Sequence, residues 1–273
     1  MTVSKFILVP ELAETREKSC GTPGHNAFKQ SLVEQFDGSW QLNTCQACRW
    51  QALYNTPKDR DEHLRAVKEV AEERLNQDLI ATGITPRFRK CSLSSYVTGD
   101  DKAKQRALSI CRKYAEGFEG HLEAGRALML MGEIGTGKTH LACAILQCIV
   151  RNHGFSGLIV TAESITQAVT DSFRNNSGPT KTDLINELAS VDLLVIDEVG
   201  VHSVRAGKDF TPSLLHEVID RRYQLIKPTI LVSNQKPEDL HNFIGPRAAD
   251  RLRENEGLLA PFTWKSARSG GLA

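Results

Sequence analysis

Apolar side chains over the larger, C-terminal part of the chain follow two alternating patterns. From Arg126 onward, short apolar runs alternate with stretches in which apolar residues return every three or four positions. The apolar runs predict strands at 127–131, 157–161, 191–196, 229–233 and 258–264. The longer stretches predict helices at 138–152, 164–173, 184–189 and 213–226. This alternation predicts an α/β fold in which helices cover a parallel sheet.

A different pattern precedes the alternating one. Apolar residues at helical spacing run through 64–80, with Thr56 and Pro57 at the expected N-cap and first helical position and Gly83 at the end. The connector that follows is rich in serine, and a second helical stretch begins at Asp100. We therefore divide the chain into a front domain at 1–56, a helix and linker at 57–100 and an α/β domain at 101–273.

Composition and charge exclude several classes of protein. Hydrophobic residues make up 40% of the 273 residues and charged residues 25%, which is ordinary for a globular protein. The formal net charge is +1, so any nucleic-acid binding must come from a local patch. The longest nearly apolar stretch, 141–150, is far shorter than the roughly 20 residues of a membrane span. We expect a cytoplasmic protein with no membrane partner.

A glycine-rich segment between a predicted strand and a predicted helix matches the phosphate-binding pattern G-x-x-x-x-G-K-[ST]. Its glycines let backbone N–H groups point at phosphate oxygens, and the positive end of the following helix favours the same anion. Lys138 would reach the β and γ phosphates, and the Thr139 hydroxyl would bind Mg²⁺. We expect ATP to contact this segment, namely Gly132, Glu133, Ile134, Gly135, Thr136, Gly137, Lys138, Thr139 and the adjacent His140.

A second motif lies where the predicted strand 191–196 ends in Asp197 and Glu198. Asp197 would hold Mg²⁺ through its water shell, and Glu198 would polarise the attacking water. Asn234 follows the next predicted strand, and its amide would lie near the γ phosphate between the two motifs. A strand-end turn formed by Asn234 is the alternative. The acidic pair together with the phosphate-binding segment predicts hydrolysis of ATP.

Four further segments carry a resemblance to a known family. They are 191–201, 218–222, 249–252 and 262–269. Together with the two motifs, they resemble the DnaC family of bacterial replicative helicase loaders, which are AAA+ ATPases, and more distantly the IstB transposition ATPases. The resemblance covers roughly residues 83–269. It implies an AAA+ P-loop parallel sheet flanked by helices and lacking a full lid, since only about nine residues follow Trp264.

The resemblance also assigns roles to single residues. It implies that Asn234 is a sensor, that Arg251 is an arginine finger given to a neighbouring subunit, and that Arg268 is a second sensor. For Arg251, a solvated face with local ion pairs is the alternative reading. Rival fingers are Arg247, Arg221 and Arg222.

A short segment near the end of a predicted helix resembles the part of DnaC-type loaders that touches single-stranded DNA. It contains Phe173 and Arg174, and an aromatic beside a cation suits base stacking and phosphate contact. The alternative is that Phe173 anchors its own helix in the core.

The front domain contains four side chains that suit zinc. Cys20, His25, Cys45 and Cys48 are soft ligands, and a structural zinc ion takes four of them in a tetrahedron. A front domain of this size has a small core and gains from such a site. A redox C-x-x-C, unliganded cysteines and His63 in place of His25 are the alternatives. Some loaders of the DnaI and phage type likewise have a zinc-containing N-terminal domain that grips the helicase.

These features predict an ATP-dependent loader of the hexameric replicative helicase. It would self-associate through its ATPase domains and place the helicase on single-stranded DNA, with ATP, Mg²⁺ and Zn²⁺ as cofactors. Chromosomal and phage-borne genes both fit the resemblance. The alternatives are an IstB-like helper of a transposase, a P-loop small-molecule kinase with a phosphate-acceptor pocket, and a nucleotide-gated adaptor with negligible turnover.

Overall fold

The computed structural model describes residue 6 and residues 12–174, 178–200 and 210–266. The chain forms two compact units. One, the front unit, is Leu8–Ala81, and the other, the α/β unit, is Met1–Ile7 together with Thr82–Ala273. The predicted boundaries were at 56 and 100, whereas the structure places the long helix in the front unit and not in a separate linker.

The front unit combines a small antiparallel sheet with two helices. Its strands pair in the order β1-β2-β3 and its helices follow them, as β1 (Leu12–Lys18), β2 (Phe28–Glu34), β3 (Trp40–Leu42), α1 (Gln46–Tyr54) and α2 (Asp61–Ala81). Helix α2 begins four residues after the predicted Pro57, with two acidic residues in its first turn. Asn76 of α2 donates to the Glu34 carbonyl at 3.3 Å and accepts from the Phe36 N–H at 2.6 Å, which explains why α2 belongs to this unit.

The α/β unit is built on a parallel sheet, as the apolar runs predict. Its five strands in the described residues are β4 (Leu128–Gly132), β5 (Gly157–Thr161), β6 (Leu193–Val199), β7 (Thr229–Ser233) and β8 (Leu258–Phe262). The strand order is β5-β6-β7-β4-β8, and the neighbouring strands are parallel. Strands β4, β6 and β7 are almost wholly buried, as expected when helices cover both faces of a sheet.

Helices connect and cover these strands. They are α3 (Lys102–Glu116), α4 (Phe118–Ala124), α5 (Lys138–His153), α6 (Ala162–Arg174), α7 (Lys181–Ser190), α8 (Phe210–Gln224), α9 (His241–Ile244) and α10 (Pro246–Arg251), with 3-10 turns at 86–88, 237–239 and 254–256. Helix α7 begins earlier than predicted because Thr180 and Asp183 form a capping box. Over the part of the chain that the structure describes, no helix has both the length and the apolar character needed to cross a bilayer.

A fully buried arginine joins the end of α7 to the beginnings of β6 and β7. Arg222 of α8 has 0% exposure and donates to the Thr229 hydroxyl at 3.0 Å. Its remaining hydrogen bonds, 2.6–3.3 Å long, go to the carbonyls of Leu188, Ala189, Val191, Asp192 and Pro228. Burial lowers the pKa of this guanidinium to about 9. All three guanidinium nitrogens of Arg222 donate hydrogen bonds inside their own subunit. Arg222 therefore does not serve as an arginine finger in place of Arg251.

Replacing Arg222 by lysine tests this arrangement. Lysine keeps the charge but has fewer donors on one nitrogen, so several buried carbonyls would lose their partners. We expect Arg222→Lys to lower the free energy of unfolding by about 3 kcal/mol, seen as a melting temperature lower by roughly 6–12 °C. The control is Arg221→Lys at the exposed neighbouring position. Equal melting temperatures for the two variants would contradict the interpretation.

Candidate nucleotide site

The phosphate-binding segment forms the loop between β4 and α5, here called the phosphate loop and defined as residues 132–139. Gly132 has a φ of 144° and Gly137 a φ of 95°, both in the region that favours glycine. A Cβ at Gly132 would lie 2.0 Å from the Phe262 carbonyl oxygen of β8. The pattern therefore needs its first glycine because the loop passes directly against the edge strand.

Lys138 lies inside this loop, with only 5% of its side chain exposed. Its ammonium donates to the carbonyls of Gly132 at 2.8 Å and Glu133 at 2.6 Å. Burial lowers the pKa of Lys138 to about 8, and the nearby Asp197 carboxylate partly opposes that effect. A phosphate group in the loop would bring anionic oxygens to this buried cation, which favours its charged form.

Thr139 and Asp197 link the two motifs directly. The Thr139 hydroxyl donates to Oδ2 of Asp197 at 2.8 Å, and the Glu198 N–H donates to Oδ1 at 2.7 Å. Burial raises the pKa of Asp197, while these two donors act in the opposite direction. A hydroxyl and a carboxylate side by side are the hard oxygen ligands that Mg²⁺ prefers, so the residues fit the expected ion.

Glu198 reaches the same site through an irregular strand end. Successive residues of a regular strand point to opposite faces, but the register of β6 against β7 shifts between Ile196 and Val199. Glu198 also has a φ of 58°, which is uncommon for a residue with a side chain. Its partial burial raises its pKa, and the carboxylates of Asp197 and Glu163 add to that. Asp197 and Glu198 can therefore both line one cavity.

One cavity collects most of the residues expected to contact nucleotide. Its volume is about 250 Å³, and its lining comprises Phe88, Ile134, Gly135, Gly137, Lys138, Thr139, His140, Asp197, Glu198, Val232 and Asn234. Asn234 is included because β7, which precedes it, lies between β4 and β6. Glu133 contributes its carbonyl to Lys138, and Thr136 is buried in the loop.

The connector ahead of α3 also belongs to the site, which the sequence analysis did not anticipate. Phe88 lines the cavity, and the neighbouring turn contacts His140 through both ring nitrogens. Nδ1 of His140 lies 3.3 Å from Sγ of Cys91, and Nε2 lies 3.3 Å from the Ser92 carbonyl. A serine-rich connector is typical of a loop exposed to solvent. Only its aromatic residues, Phe88 and Tyr96, indicate that it packs against the rest of the unit.

Arg251, the predicted finger, lies apart from this cavity. Arg251 at the end of α10 forms an ion pair with Asp220 of α8, and its guanidinium lies 5.1 Å from the centroid of the Tyr223 ring. It is not among the residues that line the cavity of its own subunit. Arg268 lies outside the described residues.

The segment expected to touch DNA ends α6. Phe173 is 63% exposed and Arg174 is also exposed, so Phe173 is not the core anchor of its helix. The two asparagines that follow lie outside the described residues.

The four expected zinc ligands meet at one point of the front unit. The ligand atoms of Cys20, His25, Cys45 and Cys48 all lie within 4.8 Å of one another. Cys45 is the N-cap of α1, and Sγ of Cys48 lies 3.2 Å from Nδ1 of His25. A backbone hydrogen bond from Thr22 lowers the pKa of Cys20 to about 6, with further hydrogen bonds contributing. Three thiols and an imidazole in such a cluster fit a structural zinc ion.

The alternative ligand has a different partner. Nδ1 of His63 lies 3.2 Å from the Ala52 carbonyl, and His63 is not part of the cysteine cluster.

Comparison with known proteins connects this geometry to a family. Residues 115–250 match the IstB-like ATP binding protein family. The replicative helicase loader DnaC of Escherichia coli K12 is 35% identical over 210 residues, which are 75% of this chain and 82% of that protein. The chain belongs to the DnaC family. Membership in this ATP-binding family confirms the resemblance found in the sequence and removes the small-molecule kinase from the alternatives.

Solved structures of DnaC-type proteins share the fold of the α/β unit. The crystal structure of the DnaC helicase loader gives a TM-score of 0.57 at 23% identity, covering 65% of this chain and 99% of that one. The crystal structure of DnaI gives 0.52 at 20% identity, covering 66% and 94%. The predicted AAA+ P-loop sheet is therefore confirmed.

The pKa of Lys138 predicts how nucleotide affinity depends on pH. In the free protein Lys138 loses its proton above about pH 8, whereas bound phosphate favours the charged form. Affinity for ADP should therefore be constant below about pH 8 and fall by up to about tenfold per pH unit above it, with uptake of a proton on binding. Calorimetric titrations from pH 7.5 to 9.5, in buffers of different ionisation enthalpy, measure both quantities.

Lys138→Arg is the matched control, because arginine stays protonated over this range. Its affinity should not vary with pH, whatever its absolute value. A flat profile for the unmodified protein would contradict the assignment.

Proposed function

We propose that this protein is an ATP-dependent loader of the replicative DNA helicase, acting in the bacterial cytoplasm. The observation that carries the proposal is the convergence of Lys138, Thr139, Asp197 and Glu198 on one cavity in a chain of the DnaC family. The E. coli relative is named a replicative helicase loader. We infer the same task here: the protein binds the helicase ring and helps place it on single-stranded DNA.

The site supports hydrolysis as well as binding of ATP. Thr139 and Asp197 would hold Mg²⁺, which when bound supplies positive charge against the phosphate oxygens. Lys138 binds the phosphates, and Asn234 offers an amide at the same cavity. Glu198 accepts a proton from the attacking water, and its raised pKa makes it a stronger base than an ordinary glutamate.

The resemblance to the DnaC family, and not the contacts of Arg251 in its own subunit, supports an active site that is completed between subunits. In its own subunit the Arg251 guanidinium pairs with Asp220 and stacks near Tyr223, away from the cavity lining. We assign it as the finger that a neighbouring copy receives, where it balances charge on the transferred phosphoryl group. Self-association through the α/β units follows from this assignment.

The front unit is the proposed contact to the helicase. We assign one zinc ion to Cys20, His25, Cys45 and Cys48, which would tie the end of β1 to the start of α1. Large apolar side chains are exposed on α1 and α2, among them Trp50, Tyr54 and Leu64. An exposed apolar surface of this kind is typical of a protein contact.

The proposed DNA contact is Phe173 with Arg174. Both side chains are exposed at the end of α6, so a base can stack on the ring while the guanidinium approaches a phosphate.

A transposase helper is the second candidate, favoured by the match of residues 115–250 to the IstB-like family. The two candidates differ in partner. Copurification with the replicative helicase supports the loader, whereas copurification with a transposase and not with the helicase supports the helper.

Zinc removal tests the role of the front unit. We expect about one zinc ion per chain, and Cys45→Ser should release it because thiolate ligands cannot be spared from a four-ligand site. The variant should keep wild-type ATP affinity, since the nucleotide site lies in the other unit, but lose copurification with the helicase. Elemental analysis, nucleotide titration and pull-down measure the three properties.

Cys148→Ser is the control, because Cys148 lies on α5 and outside the cluster. It should keep both zinc and the helicase. Metal-free wild-type protein after purification without chelators would contradict the zinc assignment.

Mixing two inactive variants tests the finger. Arg251→Ala keeps an intact cavity but offers no finger, and Lys138→Ala offers a finger but has no working cavity. Each alone should hydrolyse ATP roughly a thousandfold more slowly than wild type. A mixture, assayed with helicase and single-stranded DNA, should regain part of the activity because some interfaces join an intact cavity to an intact finger.

The control replaces Lys138→Ala in that mixture with the double variant Lys138→Ala/Arg251→Ala, which has neither a working cavity nor a finger. It should restore no activity. Failure of the first mixture to recover would move the assignment from Arg251 to Arg247 or Arg221.

A further inference from the structure

Two aromatic side chains donate hydrogen bonds to the same backbone oxygen of the phosphate loop. The Tyr96 hydroxyl lies 2.8 Å from the Thr136 carbonyl oxygen, and Nε1 of Trp264 lies 3.0 Å from the same atom. Tyr96 comes from the connector before α3, and Trp264 follows β8. A carbonyl oxygen has two lone pairs, so both donors can be accommodated at once. Neither side chain lines the cavity.

The bonded carbonyl fixes the direction of the next amide. A trans peptide is planar, and its C=O and N–H groups point in opposite directions. With the Thr136 carbonyl directed at the two aromatic donors, the Gly137 N–H is directed away from them. Gly137 lines the cavity together with Lys138. Backbone N–H groups aimed into such a loop are what binds phosphate oxygens.

This peptide needs an external restraint because of its sequence neighbours. Gly135 and Gly137 flank Thr136 and both have positive φ values, of 77° and 95°. Glycines populate many backbone conformations at similar energy, so a peptide between them rotates easily. Hydrogen bonds from outside the loop to the Thr136 carbonyl therefore restrict the rotation of this peptide, in addition to the hydrogen bond from the Thr136 hydroxyl to the Glu133 carbonyl.

Both donors are themselves held in place. A Cβ at Gly137 would lie 2.7 Å from Cε2 of Tyr96, so the ring packs directly on that glycine. The Tyr96 ring also meets His140 edge-on at 5.4 Å between centroids. Trp264 is 8% exposed and packs on Phe262 at 4.9 Å. Burial raises the pKa of Tyr96 to about 12, so its hydroxyl keeps its proton at neutral pH.

We infer that Tyr96 and Trp264 are positioning residues for nucleotide binding, which hold the Thr136–Gly137 peptide so that its N–H faces the phosphates. The inference rests on the proposed nucleotide site. It adds that affinity for nucleoside di- and triphosphates depends on two side chains that do not contact the nucleotide. Tyr96 lies in the connector before α3 and Trp264 lies after β8, so two distant segments of the α/β unit position the phosphate loop.

The test removes each donor while keeping an aromatic ring. Tyr96→Phe, Trp264→Phe and the double variant are titrated with fluorescent ADP, and kcat and KM for ATP are measured. Loss of one hydrogen bond to the loop should raise Kd about threefold to tenfold. The double variant should bind more weakly than either single variant, but its factor need not equal their product, because the two donors share one acceptor. We expect KM to rise in parallel while kcat at saturating ATP stays within about twofold of wild type.

Two controls remove similar groups elsewhere. Tyr223→Phe deletes a hydroxyl that donates to Glu254 on the surface, and Trp50→Phe replaces an exposed indole of the front unit. Both should bind ADP as wild type does. Lys138→Ala provides the reference for loss of the phosphate site itself.

The outcomes separate the inference from the proposed site. Wild-type affinity in both Tyr96→Phe and Trp264→Phe, with binding lost in Lys138→Ala, would overturn the inference and leave the site intact. A lower melting temperature without a change in Kd would also overturn it, since the side chains would then only stabilise the fold. Normal binding by Lys138→Ala would overturn the proposed site. If Trp264→Phe does not fold, Tyr96→Phe decides, because its ring still packs on Gly137.

Discussion

The hydrogen bond between Thr139 and Asp197 is the contact on which the arrangement of the nucleotide site depends. It joins the first turn of α5, the helix that follows β4, to Asp197 of β6, and β4 and β6 are not adjacent in the sheet. Strand β7 lies between β4 and β6, so Asn234, which follows β7, lines the same cavity as Thr139 and Asp197. The order of the strands therefore decides which side chains meet, and the hydrogen bond holds the Thr139 hydroxyl beside the Asp197 carboxylate.

The two units of the chain are stabilised by different physical means. The α/β unit has a large apolar core formed by both faces of a five-stranded sheet and its helices. The front unit has few buried side chains, and its sulfur and imidazole ligands converge at one point instead. Metal ligation can supply the folding free energy that such a small core lacks. Under the proposed function, this leaves the front unit free to expose apolar side chains to a partner.

Sequence patterns predicted the features that depend on neighbours in the chain. The phosphate loop, the acidic pair and the five strands of the α/β unit follow from local spacing and were found within a few residues. The start of α2 was misplaced because Thr56 and Pro57 also suit a turn. The hydrogen bonds from Tyr96 and Trp264 to the Thr136 carbonyl and the burial of Arg222 depend on distant residues, and periodicity carries no information about which distant side chains meet. The same limit applies to the pairing of Arg251 with Asp220.

Arg222 also has a consequence for the order of folding. A buried guanidinium is tolerated only when its donors are matched, and here the acceptors belong to the end of α7 and to the residues just before and within β6 and β7. A partly folded chain that buries Arg222 before one of these elements has formed leaves a desolvated cation with missing partners. Intermediates of that kind are high in free energy. Helix α7, helix α8 and strands β6 and β7 should therefore form in a single cooperative step.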